Sequence, residues 1–156
     1  MKVKFIVVGK TDAGYISNAF SDYSSRIDKF ISFSTIVVPA YKGSTALELE
    51  KQKCIEGDGI LRLCKPGDVL ITLDENGEQM GSKDFASFLV KYMNIGTKNL
   101  TFICGGAYGL STDVLMRADR SISLSKMTFT HQMVRLIFAE QMYRAMTIIR
   151  SRSYHH

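Results

Sequence analysis

The chain has 156 residues, 46% of them hydrophobic and 22% charged, with a formal net charge of +5. That length suits one domain with a sizeable core, and the composition excludes a disordered chain. Three cysteines without close spacing or a neighbouring histidine cluster exclude a disulfide framework and a zinc site, so reduced thiols of a cytoplasmic protein are expected, with no metal. No apolar run approaches the roughly 20 residues of a membrane span.

Apolar strand-length runs alternate with segments of helical period. Val3–Val8 reads as a strand ending at Gly9, and 13–29 as a helix with apolar points at Ile16, Phe20, Tyr23 and Ile27. Phe33–Pro39 is a second strand, and 45–63 a helical segment interrupted by Gly57 and Gly59. Val69–Leu73 is a third strand closing in a polar turn, Asp74-Glu75-Asn76-Gly77. Ser82 or Asp84 is expected to cap a helix reaching Met93. Leu100–Cys104 is a fourth strand, and Ser111 or Thr112 is expected to cap a short helix to Ala118. Ile122–Leu124 begins a fifth strand. The hydroxyl-rich loop Ser125–Thr130 leads to a final helix, His131–Arg150, capped by Thr128 or Thr130 and carrying an i,i+4 pair of Glu140 with Arg144.

Strand and helix alternate five times, which implies one α/β domain over 1–156 with a mostly parallel sheet of five or six strands and helices on both faces. The last helix is apolar beyond one stripe, which suits a helix with more than one packing partner.

Ligands of parallel sheets bind beyond the carboxyl ends of strands. Three such ends carry unusual sequence: Leu73–Gly77, Gly105-Gly106-Ala107-Tyr108-Gly109-Leu110, and Leu124–His131. The glycine run has neither the GxGxxG pattern nor a P-loop lysine, so dinucleotide and triphosphate binding have little support. Valine at Gly105 is expected to block backbone approach to a ligand while the fold survives. His131 opens a helix, whose positive end favours the neutral imidazole, and Arg135 follows one turn later. Arg144, Arg150 and Arg152 with Tyr154, His155 and His156 make the C-terminus basic and aromatic, suited to phosphates and an unpaired base. The sequence pI of about 9.1 favours an anionic partner, nucleic acid being the commonest.

Four ordered segments are together specific: Phe102-Ile103-Cys104-Gly105-Gly106-Ala107-Tyr108-Gly109-Leu110, Leu124-Ser125-Lys126-Met127-Thr128-Phe129-Thr130-His131-Gln132-Met133-Val134-Arg135, Glu140-Gln141-Met142-Tyr143-Arg144-Ala145, and Tyr154-His155. With the opening Val7-Val8-Gly9-Lys10 they closely resemble the RlmH family of SPOUT-class enzymes, across the whole chain and most strongly from about residue 99. The resemblance implies a C-terminal trefoil knot formed by about 99–150, an exception to unknotted topology. It also implies a homodimer with S-adenosylmethionine at the subunit interface, and N3-methylation of pseudouridine 1915 in helix 69 of 23S rRNA on the assembled ribosome. Cofactor contacts would fall on Leu73, Gly105, Leu124, Ser125, Lys126, Met127, Thr128 and Phe129. His131, Arg135 and Tyr154 would serve the reaction, with His131, Tyr154 or bulk water taking the imide proton, and Arg144 and His155 would hold substrate. Thr130 stands where the family usually has Pro, Ser151 where it usually has Gly, and His156 where a basic residue often follows Tyr-His. Three alternatives compete: a flavodoxin-like nucleotide-binding module, a non-catalytic RNA-binding factor, and the same chemistry on a different target base.

Overall fold

A computed structural model describes residues 1–12, 14–41 and 46–153. The elements run β1 (Lys2–Val8), α1 (Gly14–Asp28), β2 (Phe33–Val38), α2 (Ala46–Leu61), β3 (Val69–Gln79), α3 (Ser82–Asn94), β4 (Asn99–Cys104), α4 (Thr112–Arg117), β5 (Arg120–Ser123) and α5 (His131–Ser153). All five strands are parallel, in the order β2-β1-β4-β3-β5. This departs from the 2-1-3-4-5 order of flavodoxin-like sheets, because β4 inserts between β1 and β3.

Strand alternation divides the interior in two. Phe5 and Val7 of β1 join Phe102, Phe138 and Met142 in a core shared with α3 and α5, while Ile6 and Val8 join Val38, Ile60, Leu70, Ile103 and Val114 beneath α2 and α4. Phe138 ties the first core together, its ring centroid lying 4.5 Å from that of Phe5 and 4.7 Å from that of Phe102. It is fully buried, and such a side chain contributes about 1.5–3 kcal/mol by burial alone. The apolar excess of α5 is thereby explained within the chain: the helix meets β4 and lies against both α1 and α3.

Several expected boundaries move, each for a local reason. β3 does not turn at Asp74 but continues to Gln79, slipping register against β5 so that Leu73 and Glu78 both pair with Ile122. α2 is not interrupted by its glycines. Gly57 allows the helix to approach α4, since a Cβ there would meet Ser111 Oγ at 2.2 Å. The N-cap of α3 is Gly81 without a side-chain cap bond, and Ser82 instead donates to Gln141 Oε1 at 2.7 Å. Ser111 caps α4, its hydroxyl accepting from Val114 N at 3.4 Å. β5 spans Arg120–Ser123, ahead of the expected start at Ile122. α5 extends to Ser153, and Thr130 Oγ1 accepts from Met133 N at 3.4 Å in its first turn.

Candidate functional site

The middle of β3 and the carboxyl ends of β4 and β5 surround a crevice of about 610 Å³. Its walls are Leu73, Asp74 and Glu75 from β3, Cys104–Leu110 after β4, and Ile122–Ser125 with Met127–His131 between β5 and α5. Val134 closes the side toward α5. The glycine run and the hydroxyl-rich loop, separate in sequence, therefore face each other across one hollow. Its volume lies within the usual 300–1,000 Å³ range of small-molecule sites.

Local geometry explains the glycines. Gly109 has φ +84°, and its N–H donates to Gly106 O at 3.2 Å, closing a tight turn. A Cβ on Gly105 would lie 2.7 Å from the carbonyl carbon and oxygen of Gly109. Valine there would first break the turn, so the expectation that it blocks only a ligand is corrected. The hydroxyl-rich loop is held by its own serines: Ser123 Oγ donates to Ser125 O at 2.8 Å, and Ser125 Oγ accepts from Met127 N at 2.9 Å.

Seven of the eight expected cofactor positions line this crevice: Leu73, Gly105, Leu124, Ser125, Met127, Thr128 and Phe129. Lys126 belongs to the same loop but is not on the wall. His131 lines the crevice, with its imidazole held below the ordinary histidine range by burial and by Arg135, while Asp12 opposes the shift.

Arg135 stands apart. It is 0% exposed and turns toward β1, with Nη2 donating to Val8 O, and Nη1 donating to Gly9 O at 3.0 Å and Thr11 Oγ1 at 2.9 Å. Burial lowers its affinity for the proton, with Cys104 and Asp12 opposing the effect. The Cys104 thiol is in turn pushed up to about 12 by burial, so it is a neutral wall of the crevice and no nucleophile. Arg144 is exposed on α5 and bonds Glu140 through both Nε and Nη2, as the i,i+4 spacing predicts. Tyr154, His155 and His156 lie outside the described residues.

Asp74 and Glu75 lie in a strand end that the sequence singles out for ligand binding, but they were not assigned to the site because they read as a turn beyond the strand. Tyr108, Leu110 and Val134 were likewise quoted in motifs without being assigned to the site. The two carboxylates suit a ligand bearing positive charge, while Leu73, Leu124, Met127 and Phe129 supply apolar area and Ser125 and Thr128 hydroxyls. Amphipathic cationic S-adenosylmethionine fits that mixture in size and chemistry. Among the described residues no group of three or more His, Cys, Asp or Glu is arranged to hold a metal ion, and no helix is long and apolar enough to cross a membrane.

A family model described as "Predicted SPOUT methyltransferase" matches residues 1–155. The chain belongs to this family. Among its relatives, the ribosomal RNA large subunit methyltransferase H of Parabacteroides distasonis is 48% identical over 156 residues, covering 100% of this chain and 99% of that protein. The protein of the same name from Bacteroides thetaiotaomicron is 46% identical over the same spans. The RlmH resemblance therefore holds along the whole chain. Solved structures agree at the level of fold. A probable methyltransferase from Bordetella pertussis Tohama I superposes with a TM-score of 0.60 at 11% identity, over 93% of this chain and 94% of that one. TrmJ from Z. mobilis gives 0.56 at 9% identity, over 93% and 70%.

Proposed function

We propose that this chain is a methyltransferase that uses S-adenosylmethionine to methylate ribosomal RNA of the large subunit, and that its target is N3 of pseudouridine 1915 in helix 69 of 23S rRNA on the assembled ribosome. The observation that carries the reading is the meeting of the Gly105–Gly109 turn and the loop between β5 and α5 in one crevice with mixed acidic, hydroxyl and apolar walls. Full-length relatives named as large-subunit ribosomal RNA methyltransferases support the substrate class.

Within this reading, Leu73, Gly105, Leu124, Ser125, Met127, Thr128 and Phe129 hold the cofactor, with Lys126 in the same loop. The bound cofactor supplies an electrophilic methyl group on a sulfonium. Because attack on that methyl cancels charge instead of creating it, the protein's main task is alignment. His131 lines the crevice and in this reading meets the splayed base, recognition of unstacked loop bases being the usual mode of sequence-specific RNA reading. Arg135 acts indirectly, by fixing the start of α5 against β1. Arg144, Tyr154 and His155 serve the RNA side.

The chain acts as a single domain over 1–156 whose segment 99–150 forms the knot. The path from β5 at the sheet edge back to α5, whose Arg135 bonds the end of β1, supports that topology. A homodimer is part of the reading. Met127 is 75% exposed and Phe129 41% on one wall of the crevice, and Tyr108 51% on the facing wall, apolar area suited to cover by a second copy. The cytoplasm, where ribosomes work, is the expected location.

The test is mass mapping of helix-69 nucleotides after incubating the chain and S-adenosylmethionine with unmodified ribosomes. One added methyl group on the pseudouridine is expected. A methyl group elsewhere overturns the target, and none at all overturns the activity.

A further inference from the structure

We propose that Gln132 is a positioning residue that holds His131 as its Nδ1–H tautomer, so that His131 offers the target nucleobase a hydrogen-bond donor and not a base. The inference rests on the functional reading above and assigns the polarity of one contact within it.

The argument starts at Lys10. Gln132 Nε2 lies 3.0 Å from the Lys10 carbonyl oxygen. A carbonyl only accepts, so the nitrogen end of the amide must face it. Turning the amide over would set oxygen against oxygen. The same nitrogen lies 3.4 Å from His131 Nε2. An amide nitrogen donates and does not accept, so His131 Nε2 must be the acceptor. The proton of the neutral ring then sits on Nδ1. An imidazolium would bring N–H against N–H at this contact, so the geometry also disfavours the cation.

The anchor is itself held. Arg135 Nη1 bonds Gly9 O and Thr11 Oγ1, the residues on either side of Lys10. The β1–α1 segment is thus fastened to the first two turns of α5 at three successive residues, and Gln132 inherits that rigidity. His131 lines the crevice, and among the described residues no acceptor bonds its Nδ1. The charged groups acting on the ring are Arg135, which opposes protonation, and Asp12, which favours it.

The chemistry fits a donor. An imide nitrogen is flanked by two carbonyl groups, and when its proton leaves, negative charge spreads to their oxygens. An N–H aimed at one oxygen stabilises that anion. The imide proton passes to water, the nitrogen lone pair forms the new N–C bond to the methyl group, and the electron pair of the broken C–S bond stays on sulfur. His131 eases ionisation without carrying the proton.

Long-range proton–nitrogen spectroscopy on the full chain with nitrogen-15-labelled histidine tests this, with His131→Asn identifying the resonance among the three histidines. At neutral pH, His131 is expected to carry its proton on Nδ1, and Gln132→Leu to populate the Nε2–H form. Turnover gives the second readout. Asn places an amide donor near the position of Nδ1, whereas Asp places only acceptors there. His131→Asn is expected to stay within about 10-fold of the parent rate, and His131→Asp to fall by about 10²–10³-fold, the usual cost of losing an oxyanion donor. A parent chain that methylates RNA while holding Nε2–H or an imidazolium overturns the inference, as does His131→Asp matching His131→Asn. A parent chain that shows the Nδ1–H form but transfers no methyl group overturns the functional reading, and with it the donor's role toward a base.

Discussion

Arg135 and Gly9, 126 residues apart in sequence, are joined by a 3.0 Å hydrogen bond from the guanidinium to the backbone carbonyl where β1 ends. With the bond from Arg135 to Val8 O, it satisfies carbonyls that leave the sheet with no strand partner, and it fixes where α5 begins. Replacing Arg135 with Met keeps apolar volume but leaves those acceptors unpaired. We expect a loss of about 2–5 kcal/mol, read by urea denaturation. Lys is not expected to rescue it, since one ammonium cannot reproduce the fork. In any Arg135→Met protein that folds, removal of the cation is expected to raise the pKa of His131 in a proton titration.

Gly77 sits where β3 slips register against β5. A Cβ there would lie 2.7 Å from backbone atoms of Ser121 and Ile122. Gly77→Ala is expected to cost about 1–3 kcal/mol through overpacking, and to weaken cofactor binding because Asp74 and Glu75 belong to the displaced bulge. Paired thermal melts and calorimetric titrations read the two effects.

Asp68 predicts an acid limb in stability. Its side chain is 2% exposed, and burial alone would push its carboxyl upward. Hydrogen bonds from Lys4 Nζ at 3.0 Å, Lys65 N at 3.2 Å and Asn99 Nδ2 at 2.8 Å outweigh that and hold it below the ordinary carboxylate value of 3.8. The folded state therefore binds its proton less readily than the unfolded chain does. The contribution is complete above the unfolded value and is lost as pH falls through the folded one. Asp68→Asn is expected to lower stability at pH 7 and to flatten its decline below about pH 4. Chemical denaturation across that range measures the slope.

Phe138→Ala should cost about 3–5 kcal/mol, because the ring fills the space between Phe5 and Phe102 and nothing adjacent can collapse into it without moving β1 or β4. Equilibrium unfolding against the parent chain checks the value. Retention of near-parent stability would mean that this core repacks freely.

The strands were legible because their apolar runs are bounded by Gly, Pro and polar clusters, and Val3–Val8 and Leu100–Cys104 lie where the pattern places them. Asp74–Gly77 misled because polar residues with a terminal Gly resemble a turn, and only pairing to β5 carries the strand past them. Gly57 and Gly59 read as helix breaks for a similar reason; the closeness of Ser111 and Val38, which explains them, is a tertiary fact. The crevice loops could be singled out from composition and position. Their meeting depends on the insertion of β4 beside β3, which no local pattern specifies. Arg135 shares a helical face with His131 by spacing, yet its long side chain reaches back to β1 while the imidazole stays on the crevice wall.

Calorimetric titration of the full chain with S-adenosylmethionine, beside Gly105→Ala, tests the central claim most directly. A Cβ at Gly105 collides with the Gly109 carbonyl at 2.7 Å and must open the turn that walls the crevice. Saturable binding of one cofactor per chain, weakened at least about 10-fold in the variant, is the predicted result, corresponding to about 1.4 kcal/mol. No binding by the parent chain, or equal affinity in a folded Gly105→Ala protein, would contradict the placement of the methyl donor.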